Sequence, residues 1–201
     1  MKILIRADGG QRIGMGHIMR MLVLADKLKD FAGVIFACRK DEEFCAGAAH
    51  IEACGYKALR IDGSRLVEEL AGIGGDCLIT DSYDVDEDYF DRTREIFRLT
   101  GYMDDLNKCR INADFIINQN IYAEAMEYGA SKAVRIFKGA GYVLLRDEFV
   151  KLPEWNIRHD LQDVMITLGG ADPQNLTENI ALKLAGAFPE MRFHIAIGPS
   201  F

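Results

Sequence analysis

Short apolar runs alternating with stretches of helical periodicity constrain this chain more than any other feature. KILIRA (2–7), GVIFAC (33–38), KALRI (57–61), CLITD (77–81), LTGYMD (99–104) and DFIIN (114–118) have the length and apolar character of strands. Between the first two, Ile18, Met21, Leu22, Ala25 and Leu28 repeat at i, i+3 and i+4 and predict a helix from His17 to Lys29. A helix from Asp41 to Cys54 follows the second run. Another, from Val85 to Phe97, is entered through Asp84-Val-Asp-Glu87, which fits a capping box with Asp84 as N-cap. Strands that alternate with helices build a parallel sheet covered by helices, so the fold class expected is α/β.

A boundary is expected in Lys151-Leu-Pro-Glu-Trp-Asn-Ile-Arg-His-Asp160, which is polar, contains proline and lacks periodicity. The division is 1–150 for the first lobe, 151–162 for a linker and 163–201 for a second unit. There a strand from Asp163 to Gly170, a helix from Asn175 to Ala187 and a strand from Arg192 to Gly198 make one βαβ unit. Some forty residues are too few to bury a stable core unaided. The expectation is a truncated second lobe of a longer protein, the alternative being a unit packed on the first domain.

The 201 residues are 49% apolar and 27% charged with a net charge of −7, and no apolar run approaches the roughly 18–20 residues of a membrane span. MKILIRAD becomes charged too early for a signal peptide, so a cytoplasmic protein without membrane insertion is expected. Without a Lys/Arg cluster the chain is not expected to bind nucleic acid, although a single phosphorylated small molecule is compatible with its charge. The five cysteines form no C-x-x-C pair and the four histidines no H-x(3–5)-H pattern, so neither a disulfide framework nor a metal site is expected. No cofactor is expected. Oligomeric state is not written in these patterns.

The stretch Arg6-Ala-Asp-Gly-Gly-Gln-Arg-Ile-Gly-Met-Gly-His-Ile-Met-Arg20 leaves the first strand, crosses a glycine-rich loop and enters the first helix. Gly14 and Gly16 allow close approach of a ligand, and free amides at the helix start favour negative charge. A dinucleotide fingerprint fails because Met19 stands where its last glycine belongs. His17 at this helix start is expected to be kept neutral by the helix dipole, as suits a general base; a capping or core histidine is the alternative. Arg20, one turn on, has three readings: a phosphate ligand, a partner of Asp8, or a solvated helix arginine.

Other strand ends add polar groups to the same rim. Asp81-Ser-Tyr83 offers a phenol for a sugar hydroxyl or ring, or a tyrosine that merely covers the sheet edge. Met103-Asp-Asp105 offers paired carboxylates, for sharing a proton, for holding a basic group, or for turns and caps. Asn118-Gln-Asn120 offers amides, which suit hydroxyl-rich or acetamido ligands. In the second unit Gly169-Gly170-Ala-Asp172-Pro-Gln-Asn175 repeats the strand, glycine turn and helix start, either as a phosphate site or with Asp172 as a plain cap.

IGMGHIMRMLVLA, DSY, MDDLN, NQNIY, LLRDEF and LGGADPQN, in this order, resemble the UDP-sugar hydrolase family of pseudaminic acid biosynthesis (PseG) and its spore-coat polysaccharide relatives (SpsG). That family resembles glycosyltransferases of the GT-B class such as MurG, with two Rossmann-like lobes and a cleft between them. The resemblance implies hydrolysis of a UDP-linked diacetamido-trideoxy-hexose to UDP and free sugar. Water would attack the anomeric carbon with inversion and without a metal. It further implies His17 as the base that activates water, Tyr83 as an active-site residue, and Gly14 and Gly16 as loop residues near the diphosphate, with uridine held mainly by the C-terminal lobe. The candidate substrate-binding set is Gly14, Gly16, Arg20, Asp81, Asn118, Asn120, Gly169, Gly170 and Asn175. Rival readings are a GT-B glycosyltransferase that uses a UDP-sugar and a non-catalytic sugar-nucleotide-binding protein.

Overall fold

The computed structural model describes residues 1–10, 12–129, 132, 135–150, 152, 159–169, 172 and 174–198. Gly170 and residues 151 and 153–158 of the expected linker lie outside the described residues.

Seven strands form one sheet: β1 (Lys2–Ala7), β2 (Gly33–Arg39), β3 (Lys57–Ile61), β4 (Cys77–Asp81), β5 (Leu99–Met103), β6 (Phe115–Asn118) and β7 (Arg135–Lys138). Their order is β3-β2-β1-β4-β5-β6-β7, with every pairing parallel. This is the Rossmann-like α/β order expected of a GT-B-type N-terminal lobe. The order reverses between β1 and β4, and ligands of such sheets bind beyond the strand carboxyl ends at that reversal.

Side chains alternate across each strand, so the sheet has two apolar faces. On one, Ile3 and Ile5 of β1 and Phe36 of β2 pack with Ile18 and Met21 of α1 (Gly16–Leu28) and Ile51 of α2 (Cys45–Ala53). On the other, Leu4 and Leu78 pack with Leu70 of α3 (Leu66–Ile73) and Tyr89 and Phe90 of α4 (Glu87–Ile96). Truncating a fully buried residue such as Leu70 to alanine costs about 2–5 kcal/mol.

The N-cap of α4 is Asp86, not Asp84. Asp86 has extended backbone and its carboxylate accepts the Tyr89 amide at 3.0 Å, whereas Asp84 points to Arg39 Nη2 at 2.7 Å. α3 and β7 escaped the sequence reading. The first is eight residues long, and the second, Arg-Ile-Phe-Lys, joins the sheet only by pairing with β6.

After the four-residue α5 (Asp147–Val150), β8 (Asp163–Thr167), α6 (Leu176–Ala187) and β9 (Arg192–Ala196) form a separate βαβ unit whose strands pair in parallel. No helix among the described residues is long and apolar enough to cross a membrane.

Candidate functional site

The site begins with the loop after β1. A Cβ at Gly10 would lie 1.7 Å from the Glu43 carbonyl oxygen, so the loop backbone rests directly on the chain entering α2. Gly10 N–H donates to the Gly14 carbonyl at 3.0 Å, and Gly14 closes that turn with φ of +73°. Around Gly16 there is open space, and the first turn of α1 starts with no side-chain cap.

His17 stands on that first turn and Asp81 ends the neighbouring strand, β4. Ala7 and Asp81 are register partners, so the two elements that cross at the sheet reversal bring the side chains together. His17 Nδ1 lies 2.7 Å from Asp81 Oδ1, with the imidazole side chain 9% exposed and the carboxylate fully buried. Arg20 Nη2, a donor only, also lies 3.2 Å from Nδ1, but the shorter contact is to a carboxylate oxygen, which only accepts, and it assigns the proton of a neutral ring to Nδ1 and the lone pair to Nε2.

Arg20 follows one helical turn later and binds two carboxylates at once. Nε donates to Asp81 Oδ2 and Nη2 to Asp81 Oδ1, both at 2.6 Å; Nη1 and Nη2 donate to Asp105 at 3.0 and 2.9 Å. Burial works against its charge, but Asp81 and then Asp105 reverse that effect and hold its pKa above the usual guanidinium value. Asp8, one partner expected for Arg20, is instead taken by Arg6 and Arg39 at 2.7 Å each. Those arginines lie on the same strand face as Asp8, while Arg20 descends from the helix toward β4 and β5.

Asp105 collects three further contacts. The Tyr83 hydroxyl donates to it at 2.6 Å, Asn120 Nδ2 donates at 2.9 Å, and the Tyr122 hydroxyl donates to its backbone carbonyl at 3.1 Å. Burial favours the neutral acid, but the hydrogen bonds from Arg20 and Tyr83 prevail and hold the carboxyl below the ordinary aspartate range. Burial and the same bond to Asp105 push the Tyr83 phenol up to about 12. Tyr83 also meets the His17 ring edge-on, with centroids 4.6 Å apart.

Other polar residues stand behind this layer. Asn118 is fully buried, donates to the Tyr128 hydroxyl at 3.0 Å, and accepts the Asn120 amide at 3.1 Å through Oδ1. Asp104 accepts the Leu106 and Asn107 amides in a turn. The two adjacent aspartates therefore divide the expected roles: Asp104 shapes the turn and Asp105 holds the basic group.

A cavity of about 390 Å³ opens in front of His17, Arg20, Tyr83 and Gly16, within the range of small-molecule sites. Leu144, Leu145, Arg146 and Phe149, in and just before α5, also line it. Two bonds reach that segment. The Leu144 amide donates to Gln119 Oε1 at 3.0 Å, and Lys27 Nζ of α1 donates to Asp147 at 2.7 Å. His17 and Tyr83 also border a chamber of about 70 Å³ on the Asp8 and Arg39 side.

In the second unit Gly169 has φ of +95° and Asn175 a left-handed φ of 49° at the N-cap of α6. The Asp172 carboxylate accepts the Leu176 and Thr177 amides at 3.0 and 2.7 Å, so the capping reading of Asp172 describes this turn. Among the described residues no group of three or more His, Cys, Asp or Glu is placed to hold a metal ion.

Sequence reasoning named Asp105 without placing it in the site, and it did not weigh Arg146 or Gln119 individually. Strand-end position is a signal for Asp105. Nothing local to Leu-Leu-Arg-Asp-Glu-Phe tells that the segment folds back along α1.

No family model matches the chain. It is 30% identical over 191 residues to UDP-2,4-diacetamido-2,4,6-trideoxy-beta-L-altropyranose hydrolase of Campylobacter jejuni, a match covering 92% of this chain and 66% of that protein. It is 25% identical to the spore coat polysaccharide biosynthesis protein SpsG of Bacillus subtilis, over 96% of this chain and 57% of the relative. It is also 28% identical, along its full length, to an uncharacterised protein of Methanocaldococcus jannaschii, of which it spans 43%. The chain is thus a distant relative of these proteins and spans between 43% and 66% of their lengths.

Proposed function

We propose that this protein hydrolyses a UDP-linked diacetamido-trideoxy-hexose to UDP and free sugar, within nonulosonic acid or surface polysaccharide synthesis in the cytoplasm. The observation that carries the reading is the His17–Asp81 pair, 2.7 Å apart on the wall of the 390 Å³ cavity. The Campylobacter and Bacillus relatives support the substrate class.

In this reading His17 Nε2 accepts a proton from water as the water oxygen bonds to the anomeric carbon. The C1–O bond to the diphosphate breaks on the opposite face, its electron pair leaves with UDP, and the configuration inverts. Asp81 fixes the tautomer and orients the ring, and the imidazolium that forms faces a carboxylate. UDP is a good leaving group, so a second carboxylate acting as general acid is dispensable. Tyr83 borders the reacting sugar. Gly14 and Gly16 give the substrate access to the loop backbone, and Asn120 is taken as a further substrate contact at the strand end where it bonds Asp105. Asp81 and Asn118 act from behind, and Arg20, on the cavity wall, is held by Asp81 and Asp105. Residues 163–201, with Gly169, Gly170 and Asn175, are taken as the first βαβ unit of a second lobe that holds the nucleotide, joined to the lobe of residues 1–150 through 151–162.

The test is incubation with the UDP-sugar in ¹⁸O-water and buffer alone, using the protein as its gene encodes it. UDP and free sugar carrying one ¹⁸O at C1 are expected. Turnover only after addition of an acceptor would make the protein a glycosyltransferase, and binding without turnover would make it a sugar-nucleotide-binding protein. Either result overturns the hydrolase reading.

A further inference from the structure

We infer that Arg146, which lines the same cavity as His17, pairs with the diphosphate of the substrate and of departing UDP. The inference rests on the hydrolase reading and assigns a leaving-group contact within it.

Two guanidinium groups line the cavity among the described residues, Arg20 and Arg146. Arg20 is committed: its side chain is 13% exposed and bonded to Asp81 and Asp105, two carboxylates for one positive charge. A phosphate brought to Arg20 would meet that excess negative charge and would have to displace buried, bidentate partners. The phosphate reading of Arg20 therefore moves to the other guanidinium.

Arg146 differs in each respect. Its side chain is 46% exposed, and its ion-pair partner, Glu148, lies 2.8 Å away with 61% of its side chain exposed. An exposed pair of this kind is weak and readily exchanged. The guanidinium carbon lies 4.9 Å from the centre of the Phe149 ring, which supports its flat face and leaves N–H groups for an anion. The backbone beside it is held by the Leu144–Gln119 bond, with the exposed Lys27–Asp147 pair next to it. Phosphate prefers this planar fork, which offers two parallel N–H donors to two oxygens. Lining the same cavity as the base, the cation is available to the diphosphate as it leaves. Its attraction grows as the C1–O electron pair moves onto the phosphate oxygen.

The experiment measures UDP affinity by calorimetry, and KM and kcat for the UDP-sugar, in the wild-type protein and in Arg146→Ala, Arg146→Lys and Glu148→Gln. Loss of a charge-assisted bidentate contact predicts UDP binding about 10- to 100-fold weaker in Arg146→Ala, with partial recovery in Arg146→Lys. Glu148→Gln removes the competing carboxylate and is expected to tighten UDP binding, a gain that misfolding does not mimic. A wild type that hydrolyses the UDP-sugar while Arg146→Ala and Glu148→Gln bind UDP unchanged overturns the Arg146 assignment and leaves the hydrolase reading standing. A wild type that neither binds UDP nor releases it overturns both.

Discussion

Nδ1 of His17 lies 2.7 Å from Oδ1 of Asp81, joining the first turn of α1 to the last residue of β4 across the reversal of strand order. Replacing His17 by Asn is expected to lower turnover by about 10²-fold or more while the fold survives. Asp81→Asn permits the opposite ring tautomer and is expected to cost on the order of 10³- to 10⁴-fold. Single-turnover kinetics gives the rates, and ¹⁵N chemical shifts of the imidazole read the tautomer. Unchanged rates in both variants would remove the dyad from catalysis.

Asp105 links acid sensitivity to the site. Its folded pKa lies below that of the unfolded chain, so its contribution to stability is fully present above the ordinary aspartate range, near pH 4, and is lost as pH falls through the depressed folded value. Asp105→Asn is expected to flatten the acid limb of stability against pH, measured by urea unfolding at several pH values. A limb of unchanged slope would show that the Arg20 and Tyr83 contacts are not linked to folding through this carboxylate.

Tyr83 separates ring from hydroxyl. Tyr83→Phe keeps the edge contact with His17 and loses the bond to Asp105, with an expected stability cost of about 1 kcal/mol. Tyr83→Ala loses both, and His17 loses the ring that packs against it. The second variant should therefore lower kcat well beyond the first; equal kcat values would leave the ring contact without a catalytic role.

Glycines of one loop should respond in opposite ways. Gly10→Ala forces a methyl into the Glu43 carbonyl and is expected to prevent normal folding. Gly16→Ala meets nothing within 4 Å, so stability should hold while the methyl narrows the mouth of the cavity and raises KM. Thermal melts beside steady-state kinetics distinguish the two, and a stable, fully active Gly10→Ala protein would contradict the loop packing.

Thiol labelling reports the core directly. Burial pushes Cys38 up to about 12 and Cys77 up to about 11, while Cys45 and Cys54 are exposed. An aromatic disulfide reagent near pH 8 is expected to label Cys45 and Cys54 quickly, with Cys38 and Cys77 reacting only on unfolding. Mass spectrometry of digested protein assigns the sites, and early labelling of Cys38 would contradict its burial between the sheet and α2.

Local patterning in the sequence determined the elements. Continuous apolar runs marked β1 to β6, and the i, i+3, i+4 spacing of Ile18, Met21, Leu22 and Ala25 marked the buried face of α1. Both signals are properties of neighbouring residues, as is the glycine turn that delivers His17 to the start of a helix. Tertiary structure alone decided which partners those residues meet. Arg20 faces Asp81 and Asp105, 61 and 85 positions away, because β4 lies beside β1 in the sheet and β5 beside β4. Arg146 reaches the cavity because its segment doubles back along α1. Charge pairing and cavity walls depend on distance in space, and local periodicity encodes that distance only within one helix or one strand.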